Sequence, residues 1–191
     1  MKILKSLFVL FSVFILATLA TNSYFSGEAK IENNIFSTGY WTRPKIVINE
    51  VYYWPDIAHR IPGEHEGKNE WIELYNTTDS AINVKDWQIK TDNYTRTITA
   101  NKTIPAHGFL MLSHDSSTWT FWILPPGVDK ADLGTAPNDY MRNSDTIKLY
   151  DNSANLIDQL SYTDGQEGHS FERDPDGSSN IIDRATPTPG Y

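Results

Sequence analysis

The sequence has 191 residues, of which 39% are hydrophobic and 13% aromatic, and it contains no cysteine. This composition excludes a disordered chain, which would be poor in aromatic residues, and it excludes disulfide bonds and thiolate metal sites. The formal net charge is −8 and no basic run occurs. Nucleic acid is therefore a poor partner, because phosphate backbones are bound through Lys and Arg.

Residues 1–23 have the pattern of a secretory signal. Lys2 and Lys5 precede an apolar stretch from Leu7 to Ala20, as in the charged and apolar regions of a signal peptide. A membrane-spanning helix needs about 20 apolar residues, so this stretch is short for a permanent anchor. We predict a cleaved signal helix, with an uncleaved anchor as the alternative, and no stable membrane span after cleavage. Loss of both lysines leaves 14 basic and 24 acidic residues, a net charge of −10.

The segment behind the signal resembles the signal junction of camelysin-type biofilm-fibre proteins. Tyr24-Phe25-Ser26 supplies an aromatic pair followed by Ser, and Asn34-Ile35-Phe36-Ser37-Thr38-Gly39 supplies an Asn-x-Phe-x-x-Gly stretch. Gly27 stands where the resemblance leads us to expect Asp. The resemblance implies export by a dedicated signal peptidase and a role in fibres. The alternative interpretation is an ordinary signal peptide followed by an ordinary linker.

Strand patterns begin after residue 44. Residues 24–44 are polar and end in Arg-Pro, and we interpret them as a linker or a loosely attached first strand, since the residue before proline avoids helix. Residues 45–54 are rich in β-branched and aromatic side chains, which predicts a strand. Residues 56–69 contain Gly and Pro among charged residues and are predicted to be a loop. Residues 70–76 alternate polar and apolar, the period of a strand with distinct faces.

The remaining chain continues with short β-prone runs separated by turns. We predict strands at residues 81–84, 87–90, 95–99, 109–112, 146–150 and 156–162. After the signal, the sequence contains no convincing amphipathic helix of ten or more residues. Many short strands joined by turns predict an antiparallel sandwich or barrel.

In this order the predicted strands resemble the lamin-tail domain, an immunoglobulin-like sandwich found in nuclear lamins and in many secreted bacterial proteins. The most specific match is Glu70-Trp71-Ile72-Glu73-Leu74-Tyr75-Asn76. Further matches are residues 48–51, Val84, Trp87, residues 104–110, residues 143–147, Leu149, Asp151, residues 156–158, Tyr162, residues 168–173 and residues 188–190. The resemblance implies an all-β, immunoglobulin-like antiparallel β-sandwich over residues 45–191, preceded by the signal helix.

Two departures from the family pattern concern loops. Ala154 stands where Gly is common, and the 56–69 loop is enlarged. Within the 70–76 strand, alternation places Trp71 on one face and Ile72 with Leu74 on the other. We interpret the acidic and amide side chains of the first two strands, Asn49, Glu50, Glu70 and Glu73, as hydrogen-bonding or solvent-facing groups and not as a catalytic dyad.

The loop at residues 56–69 holds the candidates for a metal site, His59, His65 and Glu66, with Glu70 nearby. Imidazole and carboxylate groups are zinc ligands. However, the spacing is not that of a helical two-His motif, and flanking glycines favour a flexible loop. We therefore interpret these residues as a solvated loop and predict no cofactor, with a metal site as the alternative.

Trp119, Phe121 and Trp122 are the candidates for a partner patch or a sugar-stacking platform. They lie in a predicted loop, where exposed aromatic side chains serve binding more often than in strands. The alternative is core packing beneath the loop, which is favoured by the large burial energy of aromatic side chains.

The sequence contains no convergent catalytic set, so we predict that the protein is not an enzyme. We expect a secreted, non-catalytic binding or scaffolding module, in cell-surface or matrix structure or adhesion, with a protein or a surface polysaccharide as its partner. The alternative is a metal-dependent or carbohydrate-active enzyme that uses the loop from His59 to Glu70. DNA binding by analogy with lamin tails conflicts with the acidic net charge.

Overall fold

The structure is a computed structural model that describes the backbone of residues 29–31 and 34–36 and, with side chains, residues 45–135 and 140–191. The chain forms two compact units, Met1–Trp41 and Thr42–Tyr191. The predicted signal helix lies outside the described residues. In the first unit, strand β1 (Ala29–Ile31) pairs antiparallel with β2 (Asn34–Phe36).

The second unit is built of short strands, as the sequence predicts. In chain order they are β3 (Ile46–Tyr52), β4 (Trp71–Asn76), β5 (Ile82–Asn83), β6 (Gln88–Lys90), β7 (Thr95–Thr97), β8 (Thr103–Ile104), β9 (Phe109–Ser113), β10 (Asp129–Asp132), β11 (Asp145–Tyr150), β12 (Leu156–Tyr162), β13 (Ser170–Arg173) and β14 (Ile181–Arg184). Helical geometry within the described residues is confined to three short 3-10 turns, Ile57–His59, Glu66–Lys68 and Ser116–Thr120.

Two sheets pack face to face. One has six strands in the order β10-β9-β4-β3-β13-β14, and the other has four in the order β12-β11-β6-β7, while β5 and β8 form a separate pair. The main hydrophobic cluster draws Ile72 and Leu110 from the first sheet and Ile89 and Leu149 from the second. Burial of these apolar faces is the principal force that holds the sheets together. The predicted all-β fold is confirmed.

A buried ion pair also joins the two sheets. Nη2 of Arg173, on β13, lies 3.1 Å from both carboxylate oxygens of Asp158, on β12. Arg173 Nε donates to the carbonyl oxygen of Ile48 at 2.8 Å, and the N–H of Ile48 donates to Asp158 Oδ2 at 2.8 Å. Each charge is therefore hydrogen-bonded as well as paired, which is what a buried ion pair requires.

The outer face of the six-stranded sheet is covered as well. On β4, Ile72 and Leu74 point into the core between the sheets, whereas Trp71 points to the outer face. There Tyr52, Trp71 and Met111 form a second buried cluster. The alternation predicted for this strand is confirmed. The second cluster is the base on which the candidate functional site is built.

The structure departs from the sequence-based expectation at both edges of this sheet. Strand β10 pairs parallel with β9, whereas an antiparallel sandwich was expected. The reason is the long connection over residues 114–128, which returns the chain across the outer face to the end where β9 began. The polar tail adds β13 and β14, and β13 pairs with β3. Among the described residues, no helix is long and apolar enough to span a membrane.

Candidate functional site

Two loops that are far apart in sequence meet on the outer face of the six-stranded sheet. One connects β3 to β4 over residues 53–70, and the other connects β9 to β10 over residues 114–128. Asn69 Nδ2 donates to Thr118 Oγ1 at 3.1 Å, and Thr118 Oγ1 donates to the carbonyl oxygen of Lys68 at 3.3 Å. Asn69 and Thr118 are fully buried. The two predicted candidate regions therefore form one surface, which we call the two-loop surface.

Each loop is shaped by a 3-10 turn with an aspartate at its N-terminus. Oδ1 of Asp56 accepts from the N–H of His59 at 3.0 Å, and Oδ1 of Asp115 accepts from the N–H of Ser117 at 2.8 Å. Such caps satisfy amide groups that have no partner within the turn. The hydrogen bonds from Ser117 lower the pKa of Asp115. The capping atom Oδ1 of Asp56 also lies 2.6 Å from Nδ1 of His59, so the carboxylate orients the imidazole ring.

An aromatic cluster joins the loops to the sheet. The imidazole of His59 stacks on the indole of Trp122 with ring centroids 4.3 Å apart. Trp122 meets Tyr52 edge-on at 5.2 Å and Trp71 edge-on at 5.7 Å, while Tyr52 and Trp71 stack at 5.5 Å. Edge-on and offset contacts are the favourable arrangements of aromatic rings. Burial raises the pKa of Tyr52 above its ordinary value, so its hydroxyl stays neutral.

The predicted aromatic candidates lie in this region but differ in their roles. Trp119 and Trp122 are half-buried and pack against the second cluster, and Phe121 is also half-buried. Trp119 additionally lines a groove of about 360 Å³ with Ser116 of the same loop and with Lys130, Ala131 and Asp132 of the edge strand β10. These rings therefore combine packing beneath the loop with partial exposure at the surface.

The candidate metal ligands are each held in a separate local contact. His59 contacts Asp56 and Trp122. Nδ1 of His65 accepts from the N–H of Gly67 at 3.0 Å and so caps the turn at residues 66–68. Glu66 accepts from Nη1 of Arg60 at 3.3 Å. In the described ranges 45–135 and 140–191, His, Cys, Asp and Glu side chains form no group of three or more that could hold a metal ion.

A polar cleft of about 420 Å³ lies beside the 53–70 loop. Its lining consists of Tyr53, Trp54, Glu66, Glu70 and residues 141–144. The Oε2 atom of Glu70 accepts from the N–H of Met141 at 3.1 Å, and Glu66 faces Arg60. Both carboxylates of the cleft are thus already engaged in hydrogen bonds that shape the loop.

Two isoleucines make the two-loop surface apolar on its solvent side. Ile57 is 78% exposed and Ile123 is 89% exposed. Ile57 lies two residues before His59, and Ile123 directly follows Trp122, so each is a near neighbour in sequence of one ring of the stacked pair. Sequence reasoning passed over them because a single Ile in a loop carries no periodic pattern. The signal that could have identified them is a large aliphatic residue within two positions of a candidate residue, His59 or Trp122.

The paired glutamates of β3 and β4 are buried, in contrast to the solvent-facing alternative. Glu50 and Glu73 are 1% and 0% exposed and lie opposite one another across the strand pair. Both accept hydrogen bonds from the C-terminal segment, from the N–H of Thr188 and of Gly190. The hydrogen-bonding alternative is thus correct. Because the segment covers them, these carboxylates are closed to a substrate.

Comparison with known proteins agrees with this architecture. The sequence model of the lamin tail domain matches residues 42–164, which is more than half of the chain. Strands β13 and β14 continue the six-stranded sheet beyond the matched range. A search of individual curated proteins returned no match. Lamin tail domains are immunoglobulin-like and generally non-enzymatic, which suggests a non-catalytic binding module. The chain belongs to the lamin tail domain family.

Proposed function

We propose that the protein is an exported, non-catalytic binding module that attaches to a partner protein at the cell surface or in the extracellular matrix through the two-loop surface. The observation that carries the proposal is the exposure of Ile57 and Ile123, which lie two residues before His59 and directly after Trp122, the two residues whose rings stack across the loops. Exposed large aliphatic side chains that cluster at one place are a mark of protein interaction sites.

The chemistry of the surface favours a protein over a polysaccharide. A sugar-stacking platform needs a flat aromatic face open to solvent. Here one face of Trp122 is stacked on His59, and the ring also contacts Tyr52 and Trp71. The side chains of Ile57 and Ile123, which are exposed to solvent, are aliphatic. They suit a complementary apolar pocket on a protein.

The rim of the surface carries charges of both signs. Arg60 pairs with Glu66, and Lys68 Nζ lies 2.6 Å from Glu64 Oε2. An apolar centre with a mixed polar rim is the usual anatomy of a protein interface. The exposed rim pairs contribute little to the stability of the fold, so they are free to exchange partners on binding.

Site-specific cross-linking tests this proposal. A photo-reactive residue is placed at Ile57 or Ile123 in the producing cells, and Leu156, which is 52% exposed on strand β12, serves as the matched control position. We expect one discrete adduct from positions 57 and 123 and none from 156. The double variant Ile57→Ser, Ile123→Ser should weaken partner binding by about tenfold or more, since interface anchors contribute about 1 kcal/mol or more each. Equal adducts from all three positions, or unchanged binding of the double variant, would refute the proposal.

Cell fractionation tests the export part separately. We expect the protein in the extracellular or surface fraction, and its retention in the cytoplasm would contradict this part of the proposal. The apolar surface would then require an intracellular partner.

A further inference from the structure

Strand β14 forms one edge of the six-stranded sheet, and β10 forms the other. β14 pairs antiparallel with β13 on one side, and its other side borders no strand among the described residues. The lamin tail domain match ends at residue 164, so this edge is built by a part of the chain beyond the match. An edge strand presents main-chain groups that have no partner, which makes it a template for a further strand.

The hydrogen-bonding phase of β14 decides which residues face the open side. The N–H of Asp174 donates to the carbonyl oxygen of Asn180 at 3.1 Å, just beyond the paired strands. Because hydrogen-bonded positions alternate along an antiparallel ladder, Ile182 bonds to β13. Ile181 and Asp183 therefore turn their N–H and C=O groups toward the open side.

Two isoleucines give this edge an apolar character. Ile181 packs against the main hydrophobic cluster between the sheets. Ile182, its neighbour in the strand, points to the outer face. Both side chains are half-buried, so each keeps part of its apolar surface in contact with solvent. A strand added at this edge would cover that surface.

Features that usually keep an edge strand unpaired are scarce here. Natural edges are blocked by Pro, by Lys or by a bulge. The strand Ile181–Arg184 contains no Pro and no Lys, and its pairing with β13 runs without a register shift. Its charged side chains are engaged within the chain, since Asp183 Oδ1 lies 2.9 Å from Nδ1 of His169 and Arg184 pairs with Glu172.

One antiparallel register allows β14 to pair with a second copy of itself. In this register Ile182 lies opposite Ile182, and Ile181 lies opposite Asp183. The outward-turned residues then face one another, as hydrogen-bonded pairs require, and the isoleucines meet in a close pair that stabilises a sheet. A shift of two residues would either oppose Asp183 to Asp183 or pair Asp183 with residue 179, which precedes the strand.

We propose that the protein forms a weak, two-fold symmetric homodimer through β14, in which the two six-stranded sheets join edge to edge. The dimer is weak because a single short strand from each copy makes a small interface and because the net charge of −8 repels a second copy. Residues that lie opposite one another point to the same face of a sheet. The outer faces of both copies are therefore on the same side.

The consequence for binding rests on the proposed function. Two copies of the two-loop surface on one side of the joined sheet suit a partner that presents repeated sites, because the second contact becomes intramolecular. The dimer itself is measured without any partner, so the dimer and the proposed function can fail independently.

Cysteine cross-linking tests the dimer and its register, since the chain contains no cysteine. The variants Ile182→Cys, Ile181→Cys and Asp183→Cys are oxidised at equal concentration, with Leu156→Cys, 52% exposed on the edge strand β12, as the control for random collision. Residue 182 lies about 4.5 Å from its copy between Cα atoms, within reach of a disulfide. Residues 181 and 183 are each displaced along the strand from their own copies, beyond the limit of about 7 Å.

We expect Ile182→Cys to form a disulfide-linked dimer about tenfold faster than the other three variants. A mixture of Ile181→Cys and Asp183→Cys should give mainly the mixed dimer. Cross-linking of Ile182→Cys no faster than that of Leu156→Cys overturns the dimer. Cross-linking of Ile181→Cys alone as fast as that of Ile182→Cys overturns the register.

Sedimentation equilibrium of the cysteine-free protein is the second measurement. We expect a dimer that grows with concentration in the parent. Ile182→Lys, which opposes two like charges across the two-fold axis, should weaken it by about fivefold or more, and the control Ile182→Val should keep it. If circular dichroism shows that Ile182→Lys does not fold, Asp183→Pro takes its place, because it removes an outward N–H without loss of a bond to β13. A parent that stays monomeric at every concentration overturns the proposal.

Discussion

The imidazole ring of His59 lies almost parallel to the indole ring of Trp122, with an angle of 15° between the planes and 4.3 Å between the centroids. These residues belong to loops that leave the sheet at different strands. Their contact explains how two segments, each ambiguous in the sequence, become one surface. Each of the exposed residues Ile57 and Ile123 lies within two positions of one ring of this stack along the chain.

The stack should be measurable as a coupling between the loops. We expect a double-mutant cycle of His59→Ala and Trp122→Ala to give a coupling energy of about 1 kcal/mol in urea denaturation, since stacked aromatic pairs contribute about that much beyond their burial. The control is His107→Ala, an exposed histidine that pairs with the exposed Asp79 and should change stability by less than about 0.5 kcal/mol. Strict additivity of the two loop variants would show that the stack contributes nothing.

Ala154 should be a weak point of the fold. Its φ of 62° lies in the left-handed region, which an L side chain disfavours by about 1 kcal/mol relative to glycine. We expect Ala154→Gly to raise the free energy of unfolding by about 1 kcal/mol, measured by chemical denaturation. Ala106→Gly, at an exposed alanine without positive φ, should instead be neutral or destabilising. A loss of stability in Ala154→Gly would contradict the conformation of this turn.

The ion pair of Asp158 and Arg173 should be essential to the sandwich. Removal of one partner leaves the other charge buried and unpaired, so we expect Arg173→Met to lower stability by about 3–5 kcal/mol. Arg96→Met is a suitable control, because Arg96 donates to the carbonyl oxygen of Thr135 near the surface. Thermal and urea denaturation should both show a larger loss of stability in Arg173→Met than in Arg96→Met. A loss below about 1 kcal/mol in Arg173→Met would mean that water reaches this pair.

Stability should fall as pH rises toward neutrality. A folded state in which the pKa of Glu50 is raised from 4.5 to about 7 binds its proton more tightly than the unfolded state does. Its contribution is therefore complete below about pH 4.5 and is lost as pH rises to about 7, by up to about 3 kcal/mol. We expect Glu50→Gln to gain stability relative to the parent protein over this interval, as measured by urea denaturation at fixed pH values. A difference between the two that does not change with pH would contradict the burial of this charge.

Zinc should leave the protein unchanged. His59, His65 and Glu66 are held in three different local contacts, and a structural zinc site needs four converging ligands. We expect no stoichiometric zinc by elemental analysis and an unchanged thermal midpoint with added zinc or a chelator. Stoichiometric zinc that is lost in His59→Ala would revive the metal-dependent alternative.

Much of the fold could be predicted from local pattern. The alternation around Trp71 correctly assigns Ile72 and Leu74 to the core and Trp71 to the opposite face, because successive side chains of a strand point to opposite sides. Strands β11 and β12 were predicted within one residue of their bounds. Strand β10 was not, since Asp129–Asp132 is polar and pairs only because a long loop returns it to β9.

The sequence by itself determined the all-β class, the main strands, the lamin-tail resemblance and the two loops in which to look. These follow from side-chain period and from turn residues, which act over a few positions along the chain. Only the tertiary structure decided that the loops form one surface, that Glu50 and Glu73 are buried and that the C-terminus covers them. Those contacts join residues far apart in sequence, and burial depends on what another part of the chain places above a side chain, which no local pattern records.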